Sequence, residues 1–251
     1  MAGMVRSGAV RASILALIFA ASAAAVDAQG GDGFLFREPR VAIKFETGYG
    51  IQRAQSDIFD FVIEEHTLDR RDFDSPYIGG EVSIKVAPRW DIAFAAGFQS
   101  ASTLSEFREF VDQDDLPIEQ VTELRLIPVT AAAKYYLRPR GRSIGRFAWI
   151  PESVVPFLSA GIGVVGYRFE QEGDFVDYET LDIFYDRFTT QKQTLLARGG
   201  AGVDVSIGRQ FVLTGEARYG YARGELGADF SGFGDIDLDG LQLLAGVSVR
   251  F

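Results

Sequence analysis

The stretch "LQLLAGVSVRF", Leu241–Phe251, decides the fold. Leu241, Leu243, Val247, Val249 and Phe251 fall on one face of an extended chain, and Gln242, Ser248 and Arg250 on the other. A period of two over this length is the signature of a strand with one apolar and one polar face. Such a strand exposes unpaired backbone groups along both edges, so it demands neighbours of the same kind.

Seven further segments supply them. "VAIKFETGYG" sets Val41, Ile43, Phe45, Thr47 and Tyr49 against Lys44, Glu46 and Gly48. "IGGEVSIKV" sets Ile78, Val82, Ile84 and Val86 against Glu81, Ser83 and Lys85, and "WDIAFAAGFQ" sets Trp90, Ile92, Phe94 and Phe98 against Asp91 and Gln99. "VTAAAKYYL" sets Val129, Ala131, Ala133, Tyr135 and Leu137 against Thr130 and Lys134. The end of "VPFLSAGIGVVGYRFE" sets Val165, Tyr167 and Phe169 against Arg168. "TLLARGGAGVDVSIG" turns Arg198, Asp204 and Ser206 to the polar side, and "FVLTGEARYGY" turns Thr214, Glu216 and Arg218 there.

The predicted strands are 41–50, 77–86, 90–101, 121–137, 155–169, 193–207, 211–223 and 241–251. Eight antiparallel strands in sequence order predict an all-β, up-and-down barrel, in which the last strand closes on the first. Long connections (51–76, 102–119, 170–192, 224–240) alternate with short ones (87–89, 208–210), the connection 138–154 being the exception.

The N-terminal stretch reads as an export signal. Arg6 and Arg11 precede the uncharged run Ile14–Val26, and small residues surround Ala28. The expected domains are a signal peptide, 1–28, and a barrel, 29–251. Removing Arg6, Arg11 and Asp27 leaves a net charge of −11, which argues against a nucleic-acid partner. There is no cysteine, hence no disulfide and no thiolate metal site. Beyond the signal no apolar run is long enough for a spanning helix.

Alternation does not say which face looks inward. A soluble, lipocalin-like binder has its apolar face inside; a membrane barrel has it outside. Three features favour the membrane arrangement. The polar face carries both signs of charge at similar depth: Lys44, Glu46, Glu81, Lys85, Asp91, Lys134, Arg168, Arg198, Asp204, Glu216, Arg218 and Arg250. These suit a narrow lumen filled by ion pairs, with Gly48, Gly200, Gly202 and Gly220 leaving room for long side chains. Aromatics sit at strand ends, with Tyr49, Phe98, Tyr167, Phe169, Tyr219 and Tyr221 predicted for one girdle and Trp90, Tyr135, Phe211 and Phe251 for the other. The four long loops hold 25 acidic and 6 basic residues, whereas 138–154 carries Arg138, Arg140, Arg142 and Arg146.

Eight strands, this loop layout and the end "LLAGVSVRF" resemble the small outer-membrane β-barrel family, the OmpA/OmpX/OmpW-like group, over nearly the whole exported chain. The resemblance implies the cell outer membrane after Sec-type export, contact with outer-membrane lipid and lipopolysaccharide, and a chain without the periplasmic peptidoglycan-binding domain that some OmpA-like proteins carry. It also implies that Val247, Val249 and Phe251 form the signal read by the barrel-assembly machinery.

Chemistry is sparse. His66, the only histidine, lies among carboxylates in "IEEHTLDRRDFD", with Ser102 and Ser105 in the next loop as nucleophile candidates for a lipid A-modifying enzyme. No His-x-Ser spacing supports that, and a solvated loop histidine is the expectation. "DIDLDG" places Asp235, Asp237 and Asp239 as in a calcium loop, but Gly246 stands where the closing Glu belongs. Diffuse attraction of divalent cations to the acidic loops is the better expectation. No cofactor is expected. The function read from the sequence is a structural or interaction protein of the envelope, non-enzymatic, with a plugged lumen; a narrow pore is the alternative.

Overall fold

The computed structural model describes residues 35–251 except 113, 146, 147, 178, 179 and 181. The expected signal peptide, 1–28, lies outside the described residues. Eight strands form the barrel: β1 (Val41–Gln52), β2 (Ser75–Ala87), β3 (Trp90–Val111), β4 (Pro117–Tyr136), β5 (Val154–Val176), β6 (Ile183–Ile207), β7 (Phe211–Tyr221) and β8 (Gly240–Arg250). Each pairs antiparallel with its sequence neighbour, and β8 closes on β1 with Phe45 opposite Val247 and Ile43 opposite Val249. Closure removes every edge from the ring, so the backbone is satisfied without water.

The register sends Lys44 and Glu46 inward and leaves Ile43 and Phe45 more than half exposed on the outside. Ile78, Phe94, Ile127, Val129, Ile162, Leu195, Leu243 and Val247 extend this apolar belt around the ring. In water such a belt is an aggregation surface; against lipid it is the solvated face. The lipocalin-like alternative, apolar inside and polar outside, is therefore inverted. Tyr49, Phe98, Tyr219 and Tyr221 rim the belt at one end, and Trp90, Phe211 and Phe251 at the other, where Trp90 stacks on Tyr135 at 4.7 Å.

Two stretches expected as loops are strand. β3 and β4 run to a tip at 112–116, and β5 and β6 to a tip at 177–182. At 23 and 25 residues, β5 and β6 are about twice the ~9–11 residues a crossing needs. They stand out of the membrane on the end opposite the termini. There their outer face meets water and their inner face meets protein, so the polarity of the alternation reverses with no change of register. Tyr167 and Phe169 consequently point inward and are buried, not part of a lipid-facing girdle. Arg168 points outward, outside the lumen network assigned to it, and pairs with Glu170.

The protein beneath that inner face is a cap. Helix α1 (Asp57–Glu65) follows Ser56 in extended conformation and carries Asp57 and Asp60 in its first turn, where the helix dipole favours them. It buries Ile58, Phe59 and Val62 against Leu124, Leu126, Val165 and Phe169. Phe59 meets Phe73 at 4.6 Å and Phe169 at 5.8 Å, both edge-on, and Phe230 closes the far side of Phe169 at 5.4 Å. At the other mouth, the connection 138–154 forms a ribbon, Gly141–Ile144 with Ala148–Pro151, rather than a plain basic turn. Its Trp149 is buried and bonded to Leu35 through two backbone hydrogen bonds of 2.8 Å.

Candidate functional site

The lumen is the one place where many charged groups are brought together in the described residues. β1 supplies Lys44 and Glu46, β2 Glu81, β4 Lys134, and β7 Glu216 and Arg218, all inward by the strand alternation and all nearly inaccessible. Lys44 Nζ lies 2.8 Å from Glu46, 3.2 Å from Glu81 and 3.3 Å from Glu216. Arg218 donates to Glu46 at 3.1 Å and to Glu216 at 2.9 Å, and lies 3.8 Å from Glu81. Lys134 sits 3.5 Å from Glu81 and 3.8 Å from the centre of the Phe157 ring. Tyr77 donates its hydroxyl to Glu46 at 3.1 Å, and Ser159 donates to Glu216 at 3.2 Å.

Three cations and three carboxylates thus neutralise one another. Each carboxylate also accepts at least one hydrogen bond, the condition under which buried ion pairs are tolerated. Carboxylate oxygens of Glu46, Glu81 and Glu216 lie within 4.8 Å of one another, a spacing that would suit a metal ion. The Lys44 ammonium and the Arg218 guanidinium reach into that same triangle and supply its positive charge themselves.

Toward the inner mouth, Asp91 takes Arg140 at 2.8 Å and the Tyr136 hydroxyl at 3.3 Å. Asp204 accepts from Thr214 at 2.7 Å. Arg250 donates to the Arg209 carbonyl at 2.8 Å and lies over Trp149 at 5.3 Å. Lys85 pairs with Glu38 at the rim. Arg198 is inward and buried but stands outside the cluster.

Sequence reading missed Tyr77, Phe157, Ser159 and Arg140. Alternation from Glu81 places Tyr77 on the inner face. The signal for Phe157 is a glycine: a Cβ at Gly202, on the neighbouring strand, would come within 2.4 Å of its ring. Lumen glycines here make room for rings as well as for long cations.

The candidate chemical residues do not assemble. Asp235 is exposed, while Asp237 and Asp239 are buried and serve the cap. Asp239 accepts from the Ala222 amide at 2.9 Å and faces Arg53 at 3.5 Å; Asp237 accepts from the Asp239 amide at 2.9 Å. The three do not converge on a common point, so the calcium-loop spacing marks a folded turn. His66 is buried, not solvated. Its Nδ1 lies 3.2 Å from the Val62 carbonyl and its ring packs on Phe107 at 4.3 Å. Burial pushes its pKa down, against the Val62 carbonyl and Glu65, which pull it up. Ser105 is buried and faces the Gln120 carbonyl; Ser102 is exposed. A buried imidazole behind a phenyl ring offers no approach to a lipid substrate.

An even number of antiparallel strands, closed in a ring with apolar residues outside and polar ones within, is the architecture of transmembrane β-barrels, and this chain has it. No family model matches the chain, and no curated protein matches it. Among solved structures it is similar to Neisserial surface protein A (12% identity, 84% of this chain and 97% of that one, TM-score 0.48). It is also similar to the outer membrane protein OprG from Pseudomonas aeruginosa (12%, 86% and 99%, TM-score 0.48) and to Ail, the attachment invasion locus protein of Yersinia pestis (13%, 84% and 99%, TM-score 0.46).

Proposed function

We propose that this protein is a sealed scaffold of the outer membrane whose working surface is its acidic outer end, a structural or interaction role in the cell envelope rather than catalysis. One observation carries this reading: the lumen is filled at three successive levels. The α1 cap fills the outer mouth, the Lys44–Arg218 cluster fills the middle, and Trp149 with its ribbon covers the inner mouth. A tube so filled conducts poorly. What it presents outside is the pair of projecting hairpins and the cap, rich in carboxylates that concentrate divalent cations and sit among lipopolysaccharide headgroups. Purified protein in planar bilayers is expected to give no steady single-channel openings; regular openings would replace the scaffold reading with the narrow-pore one.

Export by residues 1–28 and recognition of the last strand by the barrel-assembly machinery belong to the same reading. Val247 is half exposed on the lipid face, and Phe251 is exposed at the inner girdle. The Phe251 carbonyl accepts from Arg40 at 2.7 Å, and its amide donates to Val41 at 2.8 Å. Deleting Phe251 is expected to lower the outer-membrane yield severalfold, while Phe251→Tyr keeps it, read by heat-modifiable mobility on gels of membrane fractions. An undiminished yield of the deletion would remove the assembly role.

A further inference from the structure

In the middle and inner levels of the lumen the charges cancel but for one. The middle holds Glu46, Glu81 and Glu216 against Lys44, Lys134 and Arg218. The inner third holds Asp91 and Asp204 against Arg140 and Arg250. One cation is left over. Arg198 is 9% exposed and projects inward from β6, between Gly161 of β5 and Gly220 of β7. Among the described residues it makes no ion pair within 4.0 Å and donates no hydrogen bond, and its buried Nε has no acceptor. The carboxylates nearest to it are already held by Lys44 and Arg218. A guanidinium is never neutral in a protein; Arg198 feels Glu46, Glu81 and Glu216 at a distance but has no acceptor in contact with it.

Arg198 also lines a cavity. The space, of about 50 Å³, lies between the ion cluster and the cap. Arg198, Arg218 and Gln242 give it a polar floor; Leu126, Val165 and Leu238 give it an apolar roof. It exceeds the ~10–15 Å³ that one water needs, so it admits a halide with some of its hydration. Lined by cationic donors and no carboxylate, it is a poor place for a metal cation.

We propose that this cavity is a binding site for one small monovalent anion of halide size, held by Arg198 as its direct counter-ion. The apolar cap above keeps the ion from exchanging its partner for bulk water, and Arg218, held by Glu46 and Glu216, adds a second positive charge to the floor. The site is a feature of the sealed lumen and does not depend on what the outer surface binds.

The test uses the whole exported chain, purified and folded in detergent micelles. Chloride is exchanged for gluconate at constant ionic strength, and urea unfolding is followed by gel mobility. Above saturation, tenfold more chloride should raise the folded-to-unfolded ratio about tenfold. R198Q should unfold at a midpoint independent of chloride. Crystals grown in bromide should show an anomalous peak within hydrogen-bonding distance of the Arg198 guanidinium. Identical unfolding in chloride and gluconate, a chloride dependence that survives in R198Q, or a bromide crystal with only water beside Arg198 would each overturn the site. Should R198Q fail to fold, the bromide map of the unaltered protein decides alone.

Discussion

Between Lys44 and Arg218 the barrel fills its interior with charge; further out, between Phe59 and Phe169, it fills the same tube with rings. Both fillings are inaccessible to water, and both are walled by the same strands. They differ in what they cost and in how they can fail. The ionic filling pays desolvation for six charges and recovers it only while every partner is present. The apolar filling gains from each side chain separately, so losing one leaves a smaller core rather than an unpaired charge. The inner region should therefore break as a unit and the outer cap by increments.

The sharpest way to break that contrast is Arg218→Met. Arg218 touches Glu46, Glu216 and Glu81, and its removal leaves three carboxylates to two lysines. The expected loss is about 3–5 kcal/mol of barrel stability, the range for breaking a buried pair from one side. Urea titration in micelles, followed by heat-modifiable mobility, measures it. Adding Glu216→Gln, which removes the surplus carboxylate, should recover part of the loss. A double variant weaker than the sum of both single changes would mean the cluster is not one electrostatic unit.

The cap should respond locally. Ile58→Ala truncates a fully buried side chain of α1. About 2–3 kcal/mol is expected, in the lower part of the range for such truncations because the helix can settle onto the strands below it. The loss should appear as faster hydrogen exchange in 57–73, with the barrel's urea midpoint nearly unmoved. An equal shift in the barrel midpoint would show that cap and barrel unfold together, and the two fillings would then be one.

How much of this was legible in the sequence follows from the same contrast. Within the membrane, lipid outside and ion pairs inside impose opposite chemistry on alternate residues, so Ile43, Lys44, Phe45 and Glu46 state the fold by themselves. Above the membrane water replaces lipid and the cap replaces the ion pairs. Alternation persists there but its meaning reverses, and nothing in a local window marks the change except two adjacent apolar residues, Val164 and Val165, one facing each way. Alternation alone therefore puts Arg168 in the lumen and Tyr167 in a girdle. The helix was visible in principle: Ile58, Phe59 and Val62 share one face behind Ser56. Nine residues between long strands read as loop all the same. His66 misleads for a different reason: its acidic neighbours in sequence suggest water, while its neighbours in space are Phe107 and the Val62 carbonyl.

That histidine gives the smallest effect and the finest test. In the unfolded chain its imidazole titrates near 6.5, and burial holds it lower in the folded cap. The unfolded state therefore takes the proton first. The cap has its full stability above about pH 6.5 and loses it as the pH falls through the window down to the folded value. Asp74, raised by its own burial, works in the opposite sense. Exchange of the α1 amides, corrected for intrinsic rates, should accelerate as the pH falls below about 6.5 while the β1–β8 ladder stays protected. His66→Gln should abolish the acceleration, because an amide donates to the same carbonyl without titrating. If the ladder loosened along with the helix, the lumen charges would be feeling the cap's proton, and the separation of the two fillings would fail at its most sensitive point.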